Sequence, residues 1–514
     1  MTMVNRHLKK YHGGLVRLAA ALADRRRGER AVIWFLLAYT IVWTLYGILA
    51  KSSQDLHFDM SELVGLSREP ALGYPHHPPL AAFVVKLWFL ILPFADWAYY
   101  LLGIALAALS LWIAWRLLGR YLDGEKRAAG LLLLTFIPFF NFHALKFNIN
   151  SVLIPLWAVT TLWFIRSFET RSRLYAALAG LGAAACMLGK YWSIFLLAGL
   201  AIAVLLDRRR GAYFRSAAPY ITIGVGLLAL VPHLAWLVAY DFSPFVFALD
   251  AHGRKSFAKA VIGALNYLAG SAAYVALPVA LTFWLFRPSA ASLRDALWPV
   301  GAQRRLAAMA FWATLVLSLP VALMAGFELK ALWTMSAWTL LPVVLLSSPR
   351  IQVTRRALAQ LLAIAIALPL VMTAAAPAIA YAIHQAGVFY SQAHARLLAP
   401  EIARVWRETT DRPLLLVGGD GGLAYGAAFY LPARPSVFSW LSRRESPWVD
   451  DARLAREGMA AICLARDQSC VRRMNALAAR SPAGRRSEIE VSRNFLGVPG
   501  APERYLITTM PPRS

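Results

Sequence analysis

His57-Phe58-Asp59-Met60-Ser61-Glu62, followed shortly by Leu72-Gly73-Tyr74-Pro75-His76-His77-Pro78-Pro79-Leu80, lies between strongly apolar stretches of a 514-residue chain. Asp59 and Glu62 are three residues apart and share a face if the segment is helical. The stiff His/Pro turn after them brings ring nitrogens that can donate, accept or bind metal. Ionisable groups held beside a membrane core are costly to keep there and mark functional sites. The competing reading is a solvated loop, and the neighbouring acids Asp55 and Glu69 are read that way.

The surrounding composition establishes the membrane. The chain is 59% hydrophobic and 16% charged, with a mean hydropathy of +0.53, against about 45–50% and about 25% in soluble domains. Apolar stretches long enough to span, allowing for tilt and short helices, fall at 31–50, 98–116, 128–145, 151–166, 174–189, 191–206, 217–238, 260–286, 306–326, 331–348 and 357–383. These predict a polytopic α-helical bundle of about eleven spans.

The formal net charge of +26 invites a nucleic-acid partner, but its distribution explains it otherwise. With the N-terminus in the cytoplasm, the inner segments hold 26 Lys and Arg and the outer ones 9, while the C-terminal region holds 18 of the 53. That asymmetry is the positive-inside rule and needs no nucleic acid. To keep it, the short apolar segment 80–95, which carries Lys86, is predicted to lie on the outer face as an interfacial helix within the loop 51–97. Residues 1–30 are a basic cytoplasmic N-terminus, and the first span reads as a retained anchor rather than a cleaved signal.

The texture changes near His384. Residues 413–417, 436–439, 460–464 and 503–509 are predicted strands, with helices at 449–458 and 471–480, so 384–514 is predicted to be a small periplasmic α/β domain. The run Gly418-Gly419-Asp420-Gly421-Gly422 follows a strand, but it matches neither dinucleotide-binding nor P-loop spacing; a tight turn is the plainer reading. Cys463 and Cys470 leave two readings open, a disulfide and two thiols.

Lys190-Tyr191 falls between two predicted spans at the outer interface, with Trp192 beside it as an interfacial aromatic. Lys330 with Trp333, and Lys146 with Asn148 and Asn150, repeat the arrangement. An interfacial lysine either snorkels or neutralises an anion, and three on one face suit a lipid-linked phosphate.

Asp59-x-x-Glu62, Gly73-Tyr74 and His77-Pro78-Pro79-Leu80 resemble the first outer loop of the family-39 (protein mannosyltransferase-like) glycosyltransferases, relatives of the lipid A aminoarabinose and galacturonic acid transferases. Leu188-Gly189-Lys190-Tyr191 is similar to that family's L-S-K-Y turn. Pro232-His233-Leu234-Ala235-Trp236 with Asp241-Phe242-Ser243-Pro244-Phe245 is similar to its P-x-x-x-W-N … W-x-S-F segment. The resemblance covers roughly residues 30–350 and implies a GT-C-like catalytic domain at 31–383 whose site faces away from the cytoplasm. It implies a polyprenyl-phosphate sugar as donor and a glycolipid or other envelope glycan as acceptor, in the bacterial inner membrane. Asp59 would then be the base, with Glu62 beside it. Lys190, Tyr191 and Lys330 would bind the donor phosphate, and Tyr74, His76, His77, Asn150, His233 and Trp236 would shape the pocket and acceptor contacts. No cofactor is required by this reading, while a divalent metal remains compatible with it. Two departures stand out: Asn150 replaces the family's aspartate, and Leu332-Trp333 lacks its histidine. Transfer to a protein hydroxyl, or flipping of a lipid-linked sugar, are the alternatives.

Overall fold

The computed structural model describes residues 2–513 apart from Arg254 and Pro482, with side chains from Gly13 onward. Among the described residues, six helices are long and apolar enough to cross a membrane: Gly28–Ala50, Asp96–Leu118, Ala218–Ala239, Phe257–Phe286, Ala302–Ala325 and Arg355–Ala386. Gly124–Leu134 with Pro138–Leu145 makes a seventh if the pair, bent by 80°, counts as one span. Eleven spans are expected from the sequence; among the described residues these six or seven are the ones long enough to cross as single or bent helices. Other expected stretches hold shorter apolar helices. The expected stretches 174–189 and 191–206 are the separate helices Arg173–Gly189 and Ile194–Leu205, parted at Lys190. The stretch 331–348 is divided among Ala331–Thr334, Ala337–Leu340 and Leu341–Leu346. The segment expected to lie at the interface is a 12-residue helix, Leu80–Ile91, too short for a hydrocarbon core of about 30 Å.

Contacts divide the chain into two compact units. The first comprises Met1–Thr44, His76–Leu80 and Leu101–Met372; the second comprises Leu45–Pro75, Ala81–Tyr100 and Thr373–Ser514. The acid-bearing loop therefore folds with the C-terminal region, whereas the sequence reading grouped it with the spans.

In the first unit, Arg173–Gly189 packs along both Leu153–Thr170 and Ala218–Ala239. A Cβ on Gly226 would lie 3.2 Å from the Gly180 carbonyl oxygen, so the two glycines let the helix backbones approach closely.

The second unit is built on a sheet of β1 (Leu416–Gly419), β2 (Ser436–Ser439), β3 (Met459–Leu464), β4 (Arg486–Val491) and, after the short ribbon strands β5 (Asn494–Phe495) and β6 (Val498–Pro499), β7 (Glu503–Met510). Its order is β2-β1-β3-β7-β4. β1 runs parallel to β2 and β3, while β7 is antiparallel to β3 and β4. One face buries Leu398, Ile402 and Trp406 with Leu423 and Ala427; the other buries Phe438, Val471 and Met474. Cys463 and Cys470 form a disulfide, Cα to Cα 5.8 Å, which settles the open reading.

Gly419 has φ +123, and a Cβ there would collide with the Ile462 carbonyl, so the turn requires glycine. Asp420 caps the helix Gly421–Tyr430 through Leu423 N at 3.1 Å and accepts from the Tyr390 hydroxyl at 2.8 Å. The chain's own carboxylate thus occupies the helix start that a phosphate would need.

Candidate active site

In the first unit the site begins where a helix stops. Arg173–Gly189 ends at Gly189, and Lys190 is extended at φ −165, ψ 136. The 3₁₀ turn Tyr191–Ser193 then leads into Ile194–Leu205. Ser193 secures the break: its hydroxyl donates to the Cys186 carbonyl at 2.9 Å and accepts from Trp157 Nε1 at 3.0 Å. The Lys190 ammonium donates to Asn150 Oδ1 at 2.8 Å and lies 5.1 Å from the centroid of the Trp333 ring. Asn150 is in turn held by Asn148, whose Oδ1 accepts from Asn150 N at 2.8 Å and Nδ2 at 2.9 Å. The Asn148 contact fixes the amide with its oxygen toward Lys190.

Lys190 and Tyr191 line a cavity of about 370 Å³, within the size range of small-molecule sites. Its walls are largely aromatic and include His76, His77, Phe245, Phe247 and Trp333. Asp241 and Phe242, both at positive φ, turn the chain into Ser243–His252. That helix delivers Phe245 to stack on Tyr191 at 4.5 Å and Phe247 on His76 at 3.9 Å. The His76 and His77 rings meet edge to face at 5.9 Å. His252 also lines the cavity. Burial, followed by the positive charges of Lys190 and Lys330, holds His252 below its ordinary range. The cavity thus combines apolar walls with a positively charged side, as an amphipathic anion needs.

The other expected residues divide between direct and supporting positions. His233 lies behind Tyr191, its Nε2 2.9 Å from the Tyr191 hydroxyl, and Trp236 stacks on His233 with centroids 5.9 Å apart. Neither of them lines the cavity, and nor does Lys330, which pairs with Glu328. His252 and Phe247 were not singled out from the sequence, because isolated rings on short helices carry no spacing signal.

In the second unit, Asp59 and Glu62 lie on the helix Phe58–Arg68 and are half-buried. His57 caps this helix by accepting from Asp59 N at 3.1 Å, and its Nδ1 is 3.4 Å from Asp59 Oδ1. The helix rests on Gly421–Tyr430. Phe58 meets the Tyr425 ring edge-on at 6.1 Å, and Gly65 leaves room for that same ring. Tyr74 is fully buried, its hydroxyl donating to the Leu66 carbonyl at 2.9 Å and the Glu69 carbonyl at 3.1 Å. It braces the end of the acid-bearing helix.

Asp55 and Glu69, read above as ordinary loop acids, are structural. Asp55 is fully buried, 2.6 Å from Arg493 Nη2 and accepting from Arg396 N at 3.0 Å. Glu69 binds Arg453 at 2.9 Å and accepts from the Ser436 hydroxyl.

Residues 76–236 match the family model described as Dolichyl-phosphate-mannose-protein mannosyltransferase. Among curated proteins the chain has no significant match. Among solved structures it is similar to ArnT from Cupriavidus metallidurans in the apo state, with a TM-score of 0.60 and 13% identity over 93% of this chain and 98% of that one. It is also similar to ArnT from the same organism bound to undecaprenyl phosphate, with a TM-score of 0.50 and 15% identity over 93% and 97% of the respective chains. The chain thus has the fold of ArnT, and its residues 76–236, which include the His/Pro turn and Lys190-Tyr191, carry the sequence pattern of the Dolichyl-phosphate-mannose-protein mannosyltransferase family.

Proposed function

We propose that this chain is a membrane glycosyltransferase that passes a sugar from a polyprenyl-phosphate donor to a glycolipid, lipopolysaccharide or other envelope glycan outside the cytoplasm. The observation that carries the reading is the aromatic-walled cavity with the Lys190 ammonium fixed by Asn150. An apolar cavity with one positioned cation suits a phosphate on a hydrocarbon tail. The family match and the ArnT fold support the same donor class.

In this reading the Asp59 carboxylate takes the proton from an acceptor hydroxyl. The acceptor oxygen attacks the anomeric carbon from the side opposite the phosphate. The bond from that carbon to the phosphate oxygen breaks, polyprenyl phosphate leaves with the electron pair, and the anomeric carbon of the transferred sugar is inverted. Lys190 offsets the charge that develops on the leaving oxygen. A base of this kind contributes about 10²–10⁴ in rate. The Cys463–Cys470 disulfide fits an oxidising compartment. We therefore place the C-terminal domain in the periplasm and the N-terminus in the cytoplasm of a bacterial inner membrane.

The test is release of free polyprenyl phosphate by purified protein in detergent with an acceptor extract, wild type beside Asp59→Asn and Lys190→Ala. Release by wild type alone supports the assignment. Folded wild-type protein that binds the lipid but turns over none of a panel of donors refutes the transferase reading and favours a flippase.

A further inference from the structure

A second cavity of about 450 Å³ lies in the first unit, between Leu153–Thr170, Arg173–Gly189, Ile194–Leu205 and Ala218–Ala239. It shares no lining residue with the cavity beside Lys190. Small residues such as Ala179, Ala183 and Gly226 form its wall together with Leu197, Leu227 and Leu230, and space is left between the helices. Its polar side chains near the helices are already engaged. Thr160 pairs with Cys186 Sγ at 3.4 Å, and Thr222 donates to the Ala176 and Ala218 carbonyls at 3.1 Å. The interior therefore suits a hydrocarbon chain and offers little to water.

The chain segment at one end of this cavity is rich in arginine. Leu205, Tyr213, Phe214 and Pro219 line it there, on the segment that also carries Arg208, Arg209, Arg210 and Arg215. Arg209 is bound to Asp207 at 2.9 Å, and Arg210 donates to the Leu205 carbonyl. Arg208 and Arg215 are exposed and form no salt bridge among the described residues. Hydrocarbon in the cavity gains little over hydrocarbon in the bilayer, because both surroundings are apolar. Selection of a particular lipid must therefore come from charge at the basic end.

We propose that this cavity seats an acyl chain of an anionic membrane phospholipid whose phosphate is held by Arg208, Arg210 and Arg215. The site is separate from the donor cavity, and the inference does not depend on the glycosyltransferase reading. A basic residue near an anionic headgroup contributes about fivefold in affinity, so three of them together give selectivity on the order of a hundredfold over a neutral lipid.

The experiment is native mass spectrometry of the detergent-purified full chain titrated with phosphatidylglycerol and with phosphatidylcholine of the same acyl chains. The expected result is tighter binding of phosphatidylglycerol by the wild type, on the order of a hundredfold, lost in R208Q/R210Q/R215Q. Ala183→Phe fills the cavity and leaves the arginines in place; it is expected to lose phosphatidylglycerol as well. Ala201→Phe serves the same purpose if Ala183→Phe does not fold. Equal affinity for the two lipids overturns the proposal. So does selectivity that survives a folded cavity-filling variant, which would place the lipid on the basic surface alone. Displacement of phosphatidylglycerol from this site by undecaprenyl phosphate also overturns it, by making the cavity part of the donor path.

Discussion

The Lys190 ammonium donates to Asn150 Oδ1 across 2.8 Å. An amide orients the ammonium through its dipole and, unlike a carboxylate, adds no negative charge to the site. Lys190→Ala is expected to raise the donor KM and lower kcat in polyprenyl phosphate release, with Lys190→Arg restoring part of both. Asn150→Ala keeps the charge but loses its alignment, so it should cost about tenfold, as loss of a hydrogen bond to a charged group does. Full activity in both Lys190→Ala and Asn150→Ala removes this pair from the site.

Asp59 and Glu62 share one helix, but the proposed roles are unequal. Asp59→Asn is expected to lower kcat by about 10²–10⁴ while donor binding stays near wild type. Glu62→Gln should have the smaller effect. Steady-state kinetics of sugar transfer check both, and an active Asp59→Asn would reassign the base.

Much of this arrangement could be read in advance, because apolar length and lysine placement are local signals. Lys190-Tyr191 at a break between apolar runs and the His76-His77 turn both end on the cavity wall. Asp55 and Glu69 were misjudged because their partners, Arg493 and Arg453, lie hundreds of residues away in sequence. β4 was missed for a different reason. Arg486, Glu488 and Glu490 alternate with half-buried neighbours on an edge strand, where charge protects the edge and disguises the strand. The break at Lys190 was legible as a lysine between two apolar runs, whereas the Ser193 contacts that stabilise it were not, because Trp157 lies 36 residues away.

Asp55 ties the acid-bearing loop to the C-terminal region through Arg493 and Arg396. Asp55→Ala would leave the largely shielded Arg493 without its carboxylate, at a cost of up to about 3–5 kcal/mol. The melting temperature of the purified protein reads this directly. The double variant Asp55→Ala/Arg493→Ala should lose less than the sum of the two single variants. Additive losses would mean that the pair is not coupled.

The Cys463–Cys470 bridge closes a short loop, seven positions apart in sequence. Loop-closure entropy gives it a value of about 2–3 kcal/mol. Cys463→Ser/Cys470→Ser should lower the unfolding midpoint of the C-terminal region accordingly, and reductant should lower the wild type but not the variant. An unchanged wild-type midpoint under full reduction, with the free thiols verified by alkylation, contradicts that contribution.

His394 supplies a pH dependence whose sign can be worked out. It is buried, with Nδ1 2.8 Å from the Tyr505 hydroxyl. Burial first, and the nearby Arg493 charge second, push it down to about 4 from the ordinary 6.5. The unfolded chain therefore takes up a proton before the folded one does. The stability contribution of His394 is fully present above pH 6.5 and is lost as the pH falls from there toward about 4. Asp55 and Asp420, raised by burial, act in the opposite direction as they protonate, so the His394 contribution is read as a difference. Thermal unfolding of wild type and His394→Gln across this range should show the wild type losing more stability on acidification. Parallel curves would mean that the ring is protonated as readily in the folded protein as in the unfolded chain.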